Sequence, residues 1–113
     1  MSAITTHILD TSRGRPADGV RVTLEVEESS GWTTLGSGLT DADGRLRTLL
    51  PNGMRPRAAI HRLTFEVAEY FTRLATPAFF PRVQISFSVT APAEHHHVPL
   101  LLSAYGYSTY RGS

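Results

Sequence analysis

Val20, Val22, Leu24 and Val26 alternate with Arg21, Thr23 and Glu25. A period of two sends successive side chains to opposite faces, so residues 20–26 are predicted to form a half-buried strand. The same alternation sets Val83, Ile85, Phe87 and Val89 against Gln84, Ser86 and Ser88, and places Leu63, Phe65 and Val67 on one face of residues 61–67. Shorter runs rich in β-branched and aromatic residues predict strands at 4–9, 32–36, 98–103 and 105–110. Glycine, proline and aspartate, which supply the backbone angles that turns need, separate these runs: RGRPADG before Val20, SSG at 29–31, DADG at 41–44 and PNGMRPR at 51–57. Helical spacing occurs at 67–75, where Val67, Tyr70, Phe71 and Leu74 recur at three to four residues, enough for about two turns. Seven or eight short strands with regular punctuation predict an all-β fold, an antiparallel β-sandwich with one short helix.

Length fits that picture, because 113 residues form one domain around a single core, 1–113. Apolar residues make up 41% and charged residues 19%, the balance of a folded globular chain. A net charge of +1 with arginines dispersed along the chain leaves no basic footprint, so neither nucleic acid nor an acidic membrane is expected as a partner. The absence of cysteine removes disulfides, thiolate catalysis and thiolate-bound zinc from consideration. MSAITTHILD lacks a basic and apolar leader pattern, and no apolar stretch nears the roughly 20 residues that span a bilayer, so a soluble, cytoplasmic chain is expected.

The chemistry-bearing residues concentrate at the end, in EHHHVPLLLSAYGYSTYRGS. A histidine run this short, followed by a patterned strand, does not resemble an expression tag. In extended backbone His95 and His97 share one face and His96 takes the other. As a metal pair, His95 and His97 lack a third ligand at convincing spacing. The alternatives are histidines merely solvated or packed at a strand start, or a catalytic group that includes His7. Arg45, after the DADG turn, is either a solvated turn residue or a permanently charged planar donor for an anionic or carbonyl-rich ligand. No nucleophile elbow, phosphate-binding loop or dinucleotide fingerprint is present.

THILD (6–10), DADGR (41–45), EHHHVPLLLS (94–103) and the terminal YGYSTYRGS (105–113), in that order, resemble the 5-hydroxyisourate hydrolases, the transthyretin-related proteins of purine catabolism. The resemblance runs from Ile4 to the last residue. It implies a transthyretin-like sandwich of two four-stranded sheets with one short helix, assembled as a homotetramer, a dimer of dimers. It further implies a cofactor-free, metal-independent hydrolase that opens 5-hydroxyisourate, with His7, Arg45 and His97 catalytic and Ser108, Tyr110, Arg111, Gly112 and Ser113 binding substrate. The alternative on the same scaffold is a carrier of small hydrophobic ligands without catalysis. His96 and Ala104 depart from the family pattern, where an aromatic residue and a proline are usual, and residues 51–61 are expected to form a variable loop.

The implied chemistry suits these side chains. Opening a cyclic amide with water needs a base for the water, a donor for the oxyanion and a proton for the departing nitrogen. Histidine titrates near neutrality and serves the first and last needs; arginine serves the second.

Overall fold

The computed structural model describes residues 2–113. Along the chain run β1 (Ile4–Asp10), β2 (Arg15–Pro16), β3 (Arg21–Glu28), β4 (Gly31–Leu39), β5 (Arg45–Leu46), β6 (Ala59–Glu66), α1 (Ala68–Arg73), β7 (Val83–Val89), β8 (His96–Leu102) and β9 (Tyr107–Thr109). They form two sheets. One is ordered β4-β3-β6-β7, and the other β2-β1-β8-β9 with β5 also paired to β1.

The sandwich and its single helix match the sequence expectation, but the second sheet has five strands rather than four. Two of the five are the two-residue strands β2 and β5, which share one edge of β1: β2 pairs at Leu9 and Asp10, β5 at Thr6 and His7. Pairing is antiparallel throughout except between β1 and β8, which run parallel from Ile4↔His96 to Asp10↔Leu102. Parallel neighbours need a long crossover, and here nearly the whole chain lies between them. The loop expected at 51–61 ends earlier, because β6 begins at Ala59. There Ala59 pairs with Val89 and His61 with both Val26 and Phe87.

The period-two pattern explains the core. Val22, Leu24, Leu63 and Phe65 from one sheet meet Ile4, Ile8, Val98, Leu100 and Leu102 from the other, all buried. Leu46, Leu49 and Leu50 close one region, and Tyr70 and Phe71 of α1 close another. Tyr70 also donates its hydroxyl to Asp10 Oδ2 at 2.7 Å, tying the helix to the end of β1. The outward residues of β1 and β8 are the opposite set: Thr5, His7 and Leu9 beside His97, Pro99 and Leu101.

Candidate active site

Strand register places the candidate residues on one face. Residues directly opposite each other in paired strands point to the same side of the sheet. Thr5 therefore stands beside His97, and His97 bridges to Gly112 in the tail. Two residues along, Arg45, His7 and Pro99 form the next row. Two further, Leu9, Leu101 and Ser108 form a third. Rows two residues apart are separated by about 7 Å and strands by about 4.8 Å, so His7 neighbours Arg45 within its row and His97 on the diagonal, and all three share one face.

The DADG turn aims Arg45. Asp41 Oδ1 accepts the backbone N–H groups of Asp43 at 2.9 Å and Arg45 at 3.0 Å. Those bonds, the Arg45 one foremost, hold the Asp41 carboxyl below its ordinary pKa. Gly44 has φ +73°, and a Cβ there would lie 2.5 Å from the Ile8 carbonyl oxygen, so both angle and space demand glycine. Ile8 N–H in turn donates to Gly44 O at 2.8 Å, pressing the turn onto β1 and setting Arg45 opposite His7.

The H-x-H alternation holds. His95 Nε2 and His97 Nδ1 both reach Thr5 Oγ1, at 3.0 and 2.8 Å, with their rings stacked at 6.4 Å and 17°. His96 turns inward and is buried, and its Nδ1 has no partner among the described residues. Burial lowers the pKa of His97, aided by the nearby charge of Arg45 and by His95 and His7. Burial and Arg45 likewise lower that of His7, against the opposing pull of the Asp43 backbone and the Asp41 and Asp43 carboxylates. Both imidazoles are thus biased toward the neutral form that accepts a proton.

A cavity of about 240 Å³ opens over this face, lined by Thr5, Thr6, Arg45, Arg47, His95, His97 and Ser113. Of the candidates, Arg45, His97 and Ser113 line it, while His7 stands beside Arg45 on the same face. Ser108 lies on that face one row beyond Pro99. Tyr110 and Arg111 border a second cavity of about 310 Å³ with Phe87, His96 and His97. Arg111 Nη2 also donates to Glu94 Oε1 at 3.0 Å. Gly112 N–H donates to His97 O at 2.8 Å, which fixes the tail along β8.

Thr5 and Arg47 belong to the first cavity and were not singled out by sequence. Strand parity held the signal for Thr5, two residues from His7. Arg47 lies two residues beyond Arg45, with its Nη1 3.8 Å from Asp41. Two arginines, two histidines and three hydroxyl-bearing residues in one concave site favour a polar, electron-rich ligand over an apolar one.

The HIUase/Transthyretin family matches this chain over residues 4–112. The 5-hydroxyisourate hydrolase of Salmonella dublin is 46% identical over 113 residues, covering 97% of this chain and 80% of that protein. The structure of Klebsiella pneumoniae 5-hydroxyisourate hydrolase superposes with a TM-score of 0.84 at 40% identity, covering 100% of this chain and 94% of the other. Transthyretin from Sparus aurata superposes at 0.90 but at 27% identity, covering 99% and 97%. Backbone shape therefore does not separate hydrolase from transthyretin; sequence identity leans to the hydrolases. The grid of side chains and the match across nearly the whole length agree that the chain belongs to the HIUase/Transthyretin family.

Proposed function

We propose that this protein hydrolyses 5-hydroxyisourate to 2-oxo-4-hydroxy-4-carboxy-5-ureidoimidazoline, a step of urate catabolism. The observation that carries the reading is the placement of His7, Arg45 and His97 on one sheet face, His7 next to Arg45 and diagonal to His97, with Arg45 and His97 lining one polar cavity. Relatives that share 46% and 40% identity bear the name 5-hydroxyisourate hydrolase. His97 accepts a proton from the attacking water, since its Nδ1 is occupied by Thr5 and its Nε2 is left for chemistry. Arg45 stabilises the oxyanion as the carbonyl carbon becomes tetrahedral. His7, next to Arg45, orients the water. Ser108, Tyr110, Arg111, Gly112 and Ser113 form the tail that orients the planar substrate, Ser113 from within the cavity.

The active species in this reading is a cytoplasmic homotetramer, a dimer of dimers. Leu9 and Leu101, both partly exposed, give the outer sheet face an apolar character beside the polar cavity. Tyr105, Phe79 and Tyr110 are 70%, 69% and 58% exposed in the single chain, more aromatic surface than solvation favours. Among the described residues no helix is long and apolar enough to cross a membrane.

The test is ultraviolet monitoring of freshly generated 5-hydroxyisourate with and without the protein. Accelerated decay to the ring-opened carboxylate is expected. Decay at the uncatalysed rate, by a folded sample, would refute the hydrolase reading.

A further inference from the structure

Thr5 is buried between two histidines of unequal exposure, His95 in solvent and His97 half-buried beside Arg45. Its hydroxyl bonds both, at 2.8 Å to His97 Nδ1 and 3.0 Å to His95 Nε2, with no other side-chain or backbone partner among the described residues. A hydroxyl has one proton to donate and accepts with its lone pairs. When Thr5 donates to one ring it accepts from the other, so the tautomers of His95 and His97 are coupled in opposition. For His97 to present a basic Nε2 to the cavity, its Nδ1–H must donate to Thr5 and Thr5 must donate to His95.

We infer that Thr5 and His95 form a proton relay that lets His97 act first as base and then as acid without storing positive charge beside Arg45. The inference rests on the hydrolase reading with His97 as base. In the forward step a water O–H bond breaks as the Nε2–H bond of His97 forms. The Nδ1–H bond of His97 breaks as its proton passes to Thr5 Oγ1, and the former Thr5 O–H proton passes to His95 Nε2. His97 is left neutral with its proton on Nε2, and the charge resides on His95, where water solvates it. In the return step His97 Nε2 gives its proton to the departing nitrogen. The other two protons then move back, and every bond in the relay is restored.

The physical need is visible in the site. A proton held on His97 would be half-buried within the field of Arg45, an arrangement costly in a medium less polar than water. Transfer across bonds of 2.8 and 3.0 Å moves that charge outward along the stacked pair, with no side chain having to swing. Thr5 touches no reacting atom in this scheme and is a positioning residue.

Thr5→Val keeps the shape and removes the hydroxyl; Thr5→Ser keeps the hydroxyl. Nitrogen-15 NMR of the full chain without substrate should show His97 protonated at Nδ1 in the native protein and in Thr5→Ser, and shifted toward Nε2–H in Thr5→Val. In the 5-hydroxyisourate assay, Thr5→Val should lower kcat by roughly 10²-fold, the lower range for acid–base groups, with KM within about twofold, and Thr5→Ser should restore most of it. His95→Gln should match Thr5→Val, and the double variant should be no worse than either, as expected of members of one unit. An unchanged His97 tautomer with kcat intact in Thr5→Val overturns the relay while leaving the hydrolase reading in place. So does a Thr5→Ser variant as impaired as Thr5→Val, or a double variant whose losses multiply. A native protein that does not accelerate substrate decay overturns the hydrolase reading itself, and the relay with it.

Discussion

Gly112 lies against the ring of His97: a Cβ on Gly112 would stand 2.6 Å from His97 Cδ2 and 3.2 Å from Pro99 Cγ. The tail is therefore packed onto the candidate base, with Gly112 N–H bonded to His97 O at 2.8 Å. Gly112→Ala should displace the imidazole by a fraction of an ångström to about 1 Å. Misplacement on that scale costs about 10²-fold in rate, with the melting temperature little changed because residue 112 lies outside the core. Native kcat in a folded Gly112→Ala variant would show that the tail does not position His97.

His7→Asn and His97→Asn each remove a titrating nitrogen while keeping a polar side chain of similar reach. Each should lower kcat by roughly the 10²- to 10⁴-fold typical of general acid–base groups. His96 faces the interior instead, so His96→Asn should spare the chemistry and tax the fold. Leaving extra amide groups buried without partners costs about 1–3 kcal/mol, readable by denaturant titration alongside kinetics. Equal kinetic damage from His96→Asn and His97→Asn would contradict the two-faced arrangement of the H-x-H stretch.

Alternation made the sandwich legible before any coordinate, because Val22, Leu24, Leu63 and Phe65 had to share a buried face once their strands formed. It could not reveal that β1 and β8 are parallel neighbours: the pairing joins residues about 90 apart, and no local pattern encodes so distant a partner. Two-residue strands such as β2 and β5 carry too few side chains to show a period. His7, Arg45 and His97 stood out through the family's motifs, whereas their common face follows from register. Thr5 was hidden as an ordinary strand threonine, since its role depends on two histidines brought to it by β8 and the residue before it.

The pH response follows from four histidines, His7, His61, His96 and His97, whose pKa values are all lowered from 6.5, burial being the first cause in each. For activity, the base form persists below the ordinary value, so the acid limb of kcat/KM should lie below pH 6.5. For stability, the unfolded chain binds protons near pH 6.5 while the folded chain resists them. Stability is therefore retained above that pH and falls as pH drops through it toward the lowered folded values. His61 and His96 matter most because their Nε2 and Nδ1 atoms are buried without partners among the described residues. Arg57 opposes charge on His61, and Arg111 and His95 oppose it on His96, against the pull of Glu94. Replacing both by phenylalanine should flatten the acid side of a melting-temperature profile. An unchanged acid slope would show that other groups govern it.

Chelation gives a separate check on the roles assigned to side chains. In the proposed mechanism the base, oxyanion donor and proton donor are all side chains of His7, Arg45 and His97, so EDTA should leave the rate of 5-hydroxyisourate decay unchanged. Activity lost to EDTA and restored by zinc would return His95 and His97 to the role of ligands, and Thr5 to that of a bystander.

Assembly and activity should be inseparable. The cavity over Thr5, Arg45 and His97 is open on one side in the single chain, and Tyr110 and Ser108 do not line it. Both lie toward the surface, Tyr110 at 58% exposure, on the tail that Gly112 pins to β8. A second pair of chains laid over the outer face would bury Leu9 and Leu101 and close the cavity into a channel, the isologous kind of contact common in symmetric assemblies. Four chains of 12.4 kDa give a particle of about 50 kDa, which light scattering distinguishes from monomer or dimer. Placing charge at this surface with Tyr110→Glu or Ser108→Glu should shift the particle to smaller mass and reduce kcat/KM in parallel, since one closed face serves both. Raising protein concentration should recover part of both together. A monomer at assay concentration with full activity would refute the link, because the site would then be complete within one sandwich.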